Sequence, residues 1–176
     1  YHYVYTTKSG RIVFIDETND FSVQELPSMG EILVSAIHPG LQNKYMCYTS
    51  DGKVWRFNPQ TGAFLDYHDV ADDPYITKLK YSNARSTFAY LGDRGVCKVL
   101  KQNTYSNVLD YPETNHRIVN MAFSSDPTWF AVGCINGRIE FYNFDENYVA
   151  YTRTQENSRV RSMTFSRSNN ILIIGY

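Results

Sequence analysis

Four glycines recur along this chain at a nearly constant interval, each closing a short polar turn between two apolar runs. They are Gly10, Gly52, Gly95 and Gly137, spaced by 42, 43 and 42 residues. The clearest copy is TSDGKVWRFN (49–58), where Asp51-Gly52 separates an apolar run from the next one. An Asp-Gly pair in that setting predicts a hairpin, because both central residues of a type I′ turn need φ > 0. The other copies read TTKSGRIVFID (6–16), LGDRGVCKVLK (91–101) and GCINGRIEFYN (133–143). A fixed period of this length requires the same supersecondary unit to be built again and again.

A second register confirms the period. An apolar-x-x-apolar-x-aromatic-Ser pattern appears as Ile76/Leu79/Tyr81/Ser82, Ile118/Met121/Phe123/Ser124 and Val160/Met163/Phe165/Ser166. A degenerate earlier copy uses Ile32, Ser35, Ile37 and His38. Between these marks the chain reads as short strands and turn clusters, and no helix is needed. The strands are predicted at 2–8, 11–17, 21–27, 31–39, 44–50, 53–59, 63–70, 75–82, 88–92, 96–101, 106–111, 116–124, 129–134, 138–143, 148–154, 160–166 and 171–176. Several are apolar on both parities (IVFI, ILVSAI, ILIIG), so both faces of their sheets are expected to be covered. A four-stranded unit of this kind cannot bury itself alone, and stacking the units radially solves that.

The repeat resembles the WD repeat of β-propeller proteins over nearly the whole chain. In that family the third strand ends in Trp-Asp and a turn Asp precedes it. Asp51 and Phe57-Asn58 match best; Ile15-Asp16, Leu100-Lys101 and Tyr142-Asn143 are weaker, with Ser9, Arg94 and Asn136 at the turn Asp. The family's Gly-His pair is absent, and its hydrogen-bonded His/Asp/Trp network is expected to be largely missing. The resemblance implies an all-β, four-stranded antiparallel propeller. It assigns a partial unit to 1–27, full units to 31–70, 75–111 and 117–154, and a partial unit to 160–176. Such propellers close most often with about seven blades, so 176 residues are expected to be part of a longer ring.

Composition narrows the partner classes. Net charge is -1, which gives no global pull toward nucleic acid or a membrane surface. No apolar run reaches the roughly 18 residues of a membrane-spanning helix. Residues 1–20 lack the basic and apolar regions of a secretory signal, so none is expected. Cys47, Cys97 and Cys134 lie in apolar strands without C-x-x-C spacing. They read as buried reduced thiols, which points to the cytoplasm or another reducing intracellular compartment.

Sites of chemistry are sparse. His2, His38, His68 and His116 show no metal spacing, and no G-x-S-x-G elbow, phosphate loop or H-E-x-x-H occurs. No cofactor, metal or small-molecule substrate is expected, and the chain reads as non-catalytic. Charge gathers in two places: acids at Asp66, Asp69, Asp72 and Asp73, and arginines at Arg153, Arg159, Arg161 and Arg167. By the geometry that the resemblance implies, both loops share one face with Arg11, Lys53 and Arg138. A mixed-charge face suits protein docking. The expected partner-binding residues are Asp72, Asp73, Tyr75, Arg117, Arg159 and Arg161, with Tyr75 and Tyr111 as aromatic anchors near strand ends. Trp55, Phe57, Phe123, Trp129, Phe141 and Phe165 are read as packing between units. The expected function is a scaffold for other proteins of a larger assembly. The alternatives are an enzyme or ligand sensor completed by residues outside this segment, or a nucleic-acid-associated propeller.

Overall fold

At the repeated glycines the chain reverses direction in one way each time. Gly52, Gly95 and Gly137 have φ of 81°, 89° and 84°. Each donates its N–H to the carbonyl three residues back: to Thr49 at 3.0 Å, Gly92 at 3.1 Å and Cys134 at 3.2 Å. Asp51 is not among the residues with positive φ, so the predicted two-residue type I′ turn is corrected. The loop has three residues, a type I turn followed by a left-handed glycine. Only the glycine needs φ > 0, which is why Asp51, Arg94 and Asn136 can share the place before it. Gly10 lies outside the described residues.

The structure, a computed structural model, describes residues 3–7, 11–15, 21–25, 31–37, 45–58, 63–70, 75–82, 84–101, 104–111, 116–154, 158–168 and 171–176. The chain divides into two units, Tyr1–Leu79 and Lys80–Tyr176. In the first, β1 (Tyr3–Thr6), β2 (Arg11–Ile15) and β3 (Phe21–Glu25) form a sheet in the order β1-β2-β3. Next, β4 (Ile32–Ile37), β5 (Tyr45–Thr49), β6 (Lys53–Phe57) and β7 (Phe64–Asp69) form a sheet in chain order. The strand β8 (Ile76–Ser82) crosses the division and forms a sheet with β9 (Thr87–Gly92), β10 (Cys97–Lys101) and β11 (Asn107–Asp110). A further sheet holds β12 (Ile118–Phe123), β13 (Trp129–Cys134), β14 (Arg138–Asn143) and β15 (Tyr148–Thr154), and β16 (Ser162–Phe165) pairs with β17 (Leu172–Gly175).

The fold is therefore all-β, built of several small antiparallel sheets. Each predicted strand is present among the described residues. The repeat extends to irregularities that side-chain patterning does not show. The third and fourth strands of each four-stranded sheet slip register at Arg56/Phe57, Val99/Leu100 and Phe141/Tyr142, 43 and 42 residues apart. Such bulges sharpen the local twist and bend the outer strand.

Packing follows from the side-chain alternation of strands. In the first unit Ile12 of β2 meets Tyr45, Cys47 and Phe57, with Trp55 beside them. In the second unit the β12–β15 sheet is covered on both faces. One face, with Met121, Phe130, Val132 and Cys134, packs on Leu91, Cys97 and Val99. The other, with Ala122, Ala131 and Ile139, packs on Val160 and Met163. The second approach is close enough to require a glycine. A Cβ on Gly133 would stand 2.7 Å from Val160 Cγ1 and 3.1 Å from Met163 Sδ. Full burial of a side chain such as Phe130 contributes about 1.5–3 kcal/mol from apolar area alone.

Candidate functional site

In the second unit, backbone contacts draw four turn and strand-start segments into a row. A Cβ on Gly95 would lie 3.0 Å from Ile118 N and 3.2 Å from Arg117 Cγ, so the β9–β10 turn sits against the start of β12. The Arg117 carbonyl accepts from Ile135 N–H at 2.9 Å. On the far side of that β13–β14 turn, Cys134 O accepts from Val160 N–H at 3.4 Å. Asn120, buried, donates Nδ2 to Arg161 O at 2.9 Å. Each residue is thus placed by the repeat: one segment supplies a glycine turn, the next supplies the entry to a first strand.

The side chains along the row are mainly arginines. Arg94, Arg117, Arg159 and Arg161 are exposed, and Arg138 is half-buried. Arg117 Nη2 donates to Asp93 O, which leaves its charge without a carboxylate in that bond. Arg138 Nε lies 2.6 Å from Glu140 Oε1. Glu140 is only 3% exposed, and its Oε2 accepts from Tyr111 OH at 2.8 Å. Burial, together with that bond to the carboxylate, pushes the Tyr111 hydroxyl well above its ordinary range, so it stays a donor. Ile135, at the tip of the β13–β14 turn, is 43% exposed. Guanidinium groups in this setting offer permanent charge and forked donors suited to carboxylate or phosphate.

The predicted site residues divide accordingly. The structure gathers Arg117, Arg159 and Arg161 in one row. Tyr75 belongs to the other unit, where it is 58% exposed. Asp72 and Asp73 lie outside the described residues. Tyr111 is corrected: it is buried and spends its hydroxyl on Glu140, because the end of β11 is covered by the neighbouring sheet. Asp66, read as part of an acidic loop, faces along its own sheet and makes a bidentate pair with buried Arg56, Nε to Oδ1 at 2.5 Å and Nη2 to Oδ2. Arg94, marked by sequence only as a turn residue, and Ile135 were not read as binding residues; they stand one and two residues before their turn glycines.

The β5–β6 hairpin carries a short polar relay. Trp55 Nε1 donates to Thr49 Oγ1 at 3.0 Å, and that hydroxyl donates on to Asp51 Oδ1. Part of a Trp/Asp network is therefore present in the β5–β6 hairpin, bridged by a threonine. Lys53 lies 3.3 Å from Asp51 and 5.3 Å from the Tyr67 ring, so it belongs to the same local cluster.

The three cysteines are free and buried. Burial, reinforced by the Asp51 charge, pushes the Cys47 thiol up to about 12, and burial raises Cys97 further. Among the described residues no group of three or more His, Cys, Asp or Glu is arranged to hold a metal ion. No described helix is long and apolar enough to cross a membrane. No protein-family model matches the chain, and no curated protein matches it.

Proposed function

We propose that this chain is part of a WD-type β-propeller that acts as a non-catalytic scaffold, holding other proteins in a multiprotein assembly. The observation that carries the reading is the recurrence of one unit. Consecutive four-stranded meanders share a left-handed glycine turn and a bulge at matching places, 42 to 43 residues apart. Within the second unit, neighbouring sheets bury each other face to face. Repetition of that step about an axis generates a propeller. A rigid stack with turns gathered along one edge suits docking better than a change of shape.

Supporting the binding role is the arginine row, whose permanent charges give steering and register to a partner. The buried, weakly acidic thiols fit work in the cytoplasm or another reducing compartment. Affinity purification of the tagged chain from its source cell, followed by identification of co-purifying proteins, tests the scaffold role. A reproducible set of protein partners is the expected result; recovery of the chain alone counts against it. Electron microscopy of the protein in its purified state tests the propeller. Blades that fail to fan around a common axis would remove that assignment.

A further inference from the structure

We infer that the arginine row of the second unit is a docking surface for an acidic protein segment that places an apolar side chain on Ile135. The inference rests on the scaffold reading and names the chemistry of its partner. Three observations carry it. First, backbone contacts make Arg94, Arg117, Ile135, Arg159 and Arg161 a continuous strip, from the Gly95 contact with Arg117 to the Val160 bond with Cys134. Second, the strip is net cationic. Arg94, Arg117, Arg159 and Arg161 stand against one acid in the same segments, Asp93, while Glu140 is buried and already engaged by Arg138 and Tyr111. Arg117 bonds a carbonyl, not a carboxylate. Third, a large apolar side chain stands exposed on the same strip. Ile135 keeps 43% of its surface in solvent at the tip of a hairpin closed by the Gly137 N–H bond to Cys134 O.

Arginines in a row with an exposed apolar residue suit a protein interface, where a few buried contacts are flanked by charges that set orientation. An acidic peptide with one leucine or similar residue satisfies both parts. Single-stranded nucleic acid satisfies the charges but wants stacked aromatic rings, and the strip offers an aliphatic side chain in their place. The turns hold the arginine backbones at fixed separations, so a bound segment would need little rearrangement of the surface.

The test uses the whole chain and fluorescence anisotropy with four probes: an acidic Glu/Asp peptide with a central Leu, the same peptide with a central Ser, a basic Lys peptide with a central Leu, and a single-stranded oligonucleotide. The acidic Leu peptide is expected to bind best, and to weaken steeply as salt rises from about 50 to about 300 mM. The double variant Arg159→Glu/Arg161→Glu should weaken it about tenfold or more. Arg167→Glu, at the opposite end of β16, should leave it unchanged. Ile135→Ser should weaken the Leu peptide several-fold and the Ser peptide hardly at all. Unchanged near-UV circular dichroism of each variant shows that the fold is intact.

The surface is overturned if the acidic Leu peptide does not bind, if the double reversal leaves binding unchanged, or if the oligonucleotide binds tighter and shares the arginine dependence. Equal sensitivity of both acidic peptides to Ile135→Ser overturns the apolar contact. Purified partners that still bind the double variant would remove this surface and leave the scaffold reading standing. A wild-type chain that binds the peptide but captures no cellular protein would do the reverse.

Discussion

The β4–β7 and β12–β15 sheets are copies of one pattern, yet they use their polar side chains differently. In β4–β7 the strong polar contacts run within the sheet. Arg56 pairs with Asp66 on the adjacent strand, and Trp55, Thr49 and Asp51 are chained through one hairpin. In β12–β15, beside the Arg138–Glu140 pair within β14, they run outward to neighbours. Glu140 reaches Tyr111 of the preceding sheet, and Asn120 holds Arg161 of the following pair. Arg85 of the β8–β9 turn bonds Pro127 O and Asp145, 2.6 Å away, and lies 4.4 Å from the Phe144 ring. Apolar exposure at the two outer strands is similar: Phe64, Leu65 and Tyr67 of β7 are 51%, 43% and 48% exposed, and Tyr148 of β15 is 49% exposed. A shared backbone pattern thus leaves the side chains free to stabilise one sheet internally and another through its neighbours.

Substitutions sharpen that contrast. Phe130→Ala, at the centre of the doubly covered sheet, should cost about 3–5 kcal/mol by transfer plus cavity, while Phe64→Ala on exposed β7 should cost within about 0.5–1 kcal/mol. Urea unfolding of both variants checks this; equal losses would break the comparison. Next in size is Gly133→Val, which forces atoms into Val160 and Met163 and should cost about 1–3 kcal/mol or more. Gly52 has open space around its Cβ position, so Gly52→Ala should cost only the strain of its φ of 81°, about 1 kcal/mol.

The polar contacts give a matched pair. Tyr111→Phe leaves buried Glu140 one donor short, and Asp66→Ala leaves buried Arg56 without its carboxylate; each should cost about 1–3 kcal/mol. Because Tyr111 joins two sheets, its loss should also speed hydrogen exchange in β14, whereas loss of Asp66 should act on β6 and β7 alone. Exchange followed by mass spectrometry distinguishes the two. The smallest effect is one of pH. Burial lowers the His68 pKa from 6.5, against the opposing pull of Asp69. The unfolded chain therefore takes up that proton first, so stability should decline slightly as pH falls below 6.5 toward the lowered native value. His68→Gln should flatten that part of a stability–pH curve. No flattening would place the titration elsewhere.

The fold was legible because strand periodicity and turn chemistry are local. Gly52, Gly95 and Gly137 must reverse the chain wherever the sheets end up, and runs such as ILVSAI or WFAVGC fit strands under any packing. The turn type was not legible from Asp51-Gly52, since both a two-residue and a three-residue loop accept that pair. The candidate site was half legible. Arg117, Arg159 and Arg161 stand at strand starts that the repeat marks, but nothing in their order reveals that Ile135 would sit among them. Tyr111 misled for the same reason, being a strand-end residue whose burial depends on what packs over it.

By itself the sequence determined the unit, its period, the seventeen strands among the described residues and the left-handed turn at Gly52, Gly95 and Gly137, all of which follow from conformational preferences within a few residues. Only the tertiary structure decided which charges are spent and which remain. Arg56 is neutralised by Asp66 because pairing of β6 with β7 brought them together, and Glu140, two residues from Arg138 on one strand, is buried and also held by Tyr111 of the preceding sheet, while Arg94, Arg159 and Arg161 stay exposed.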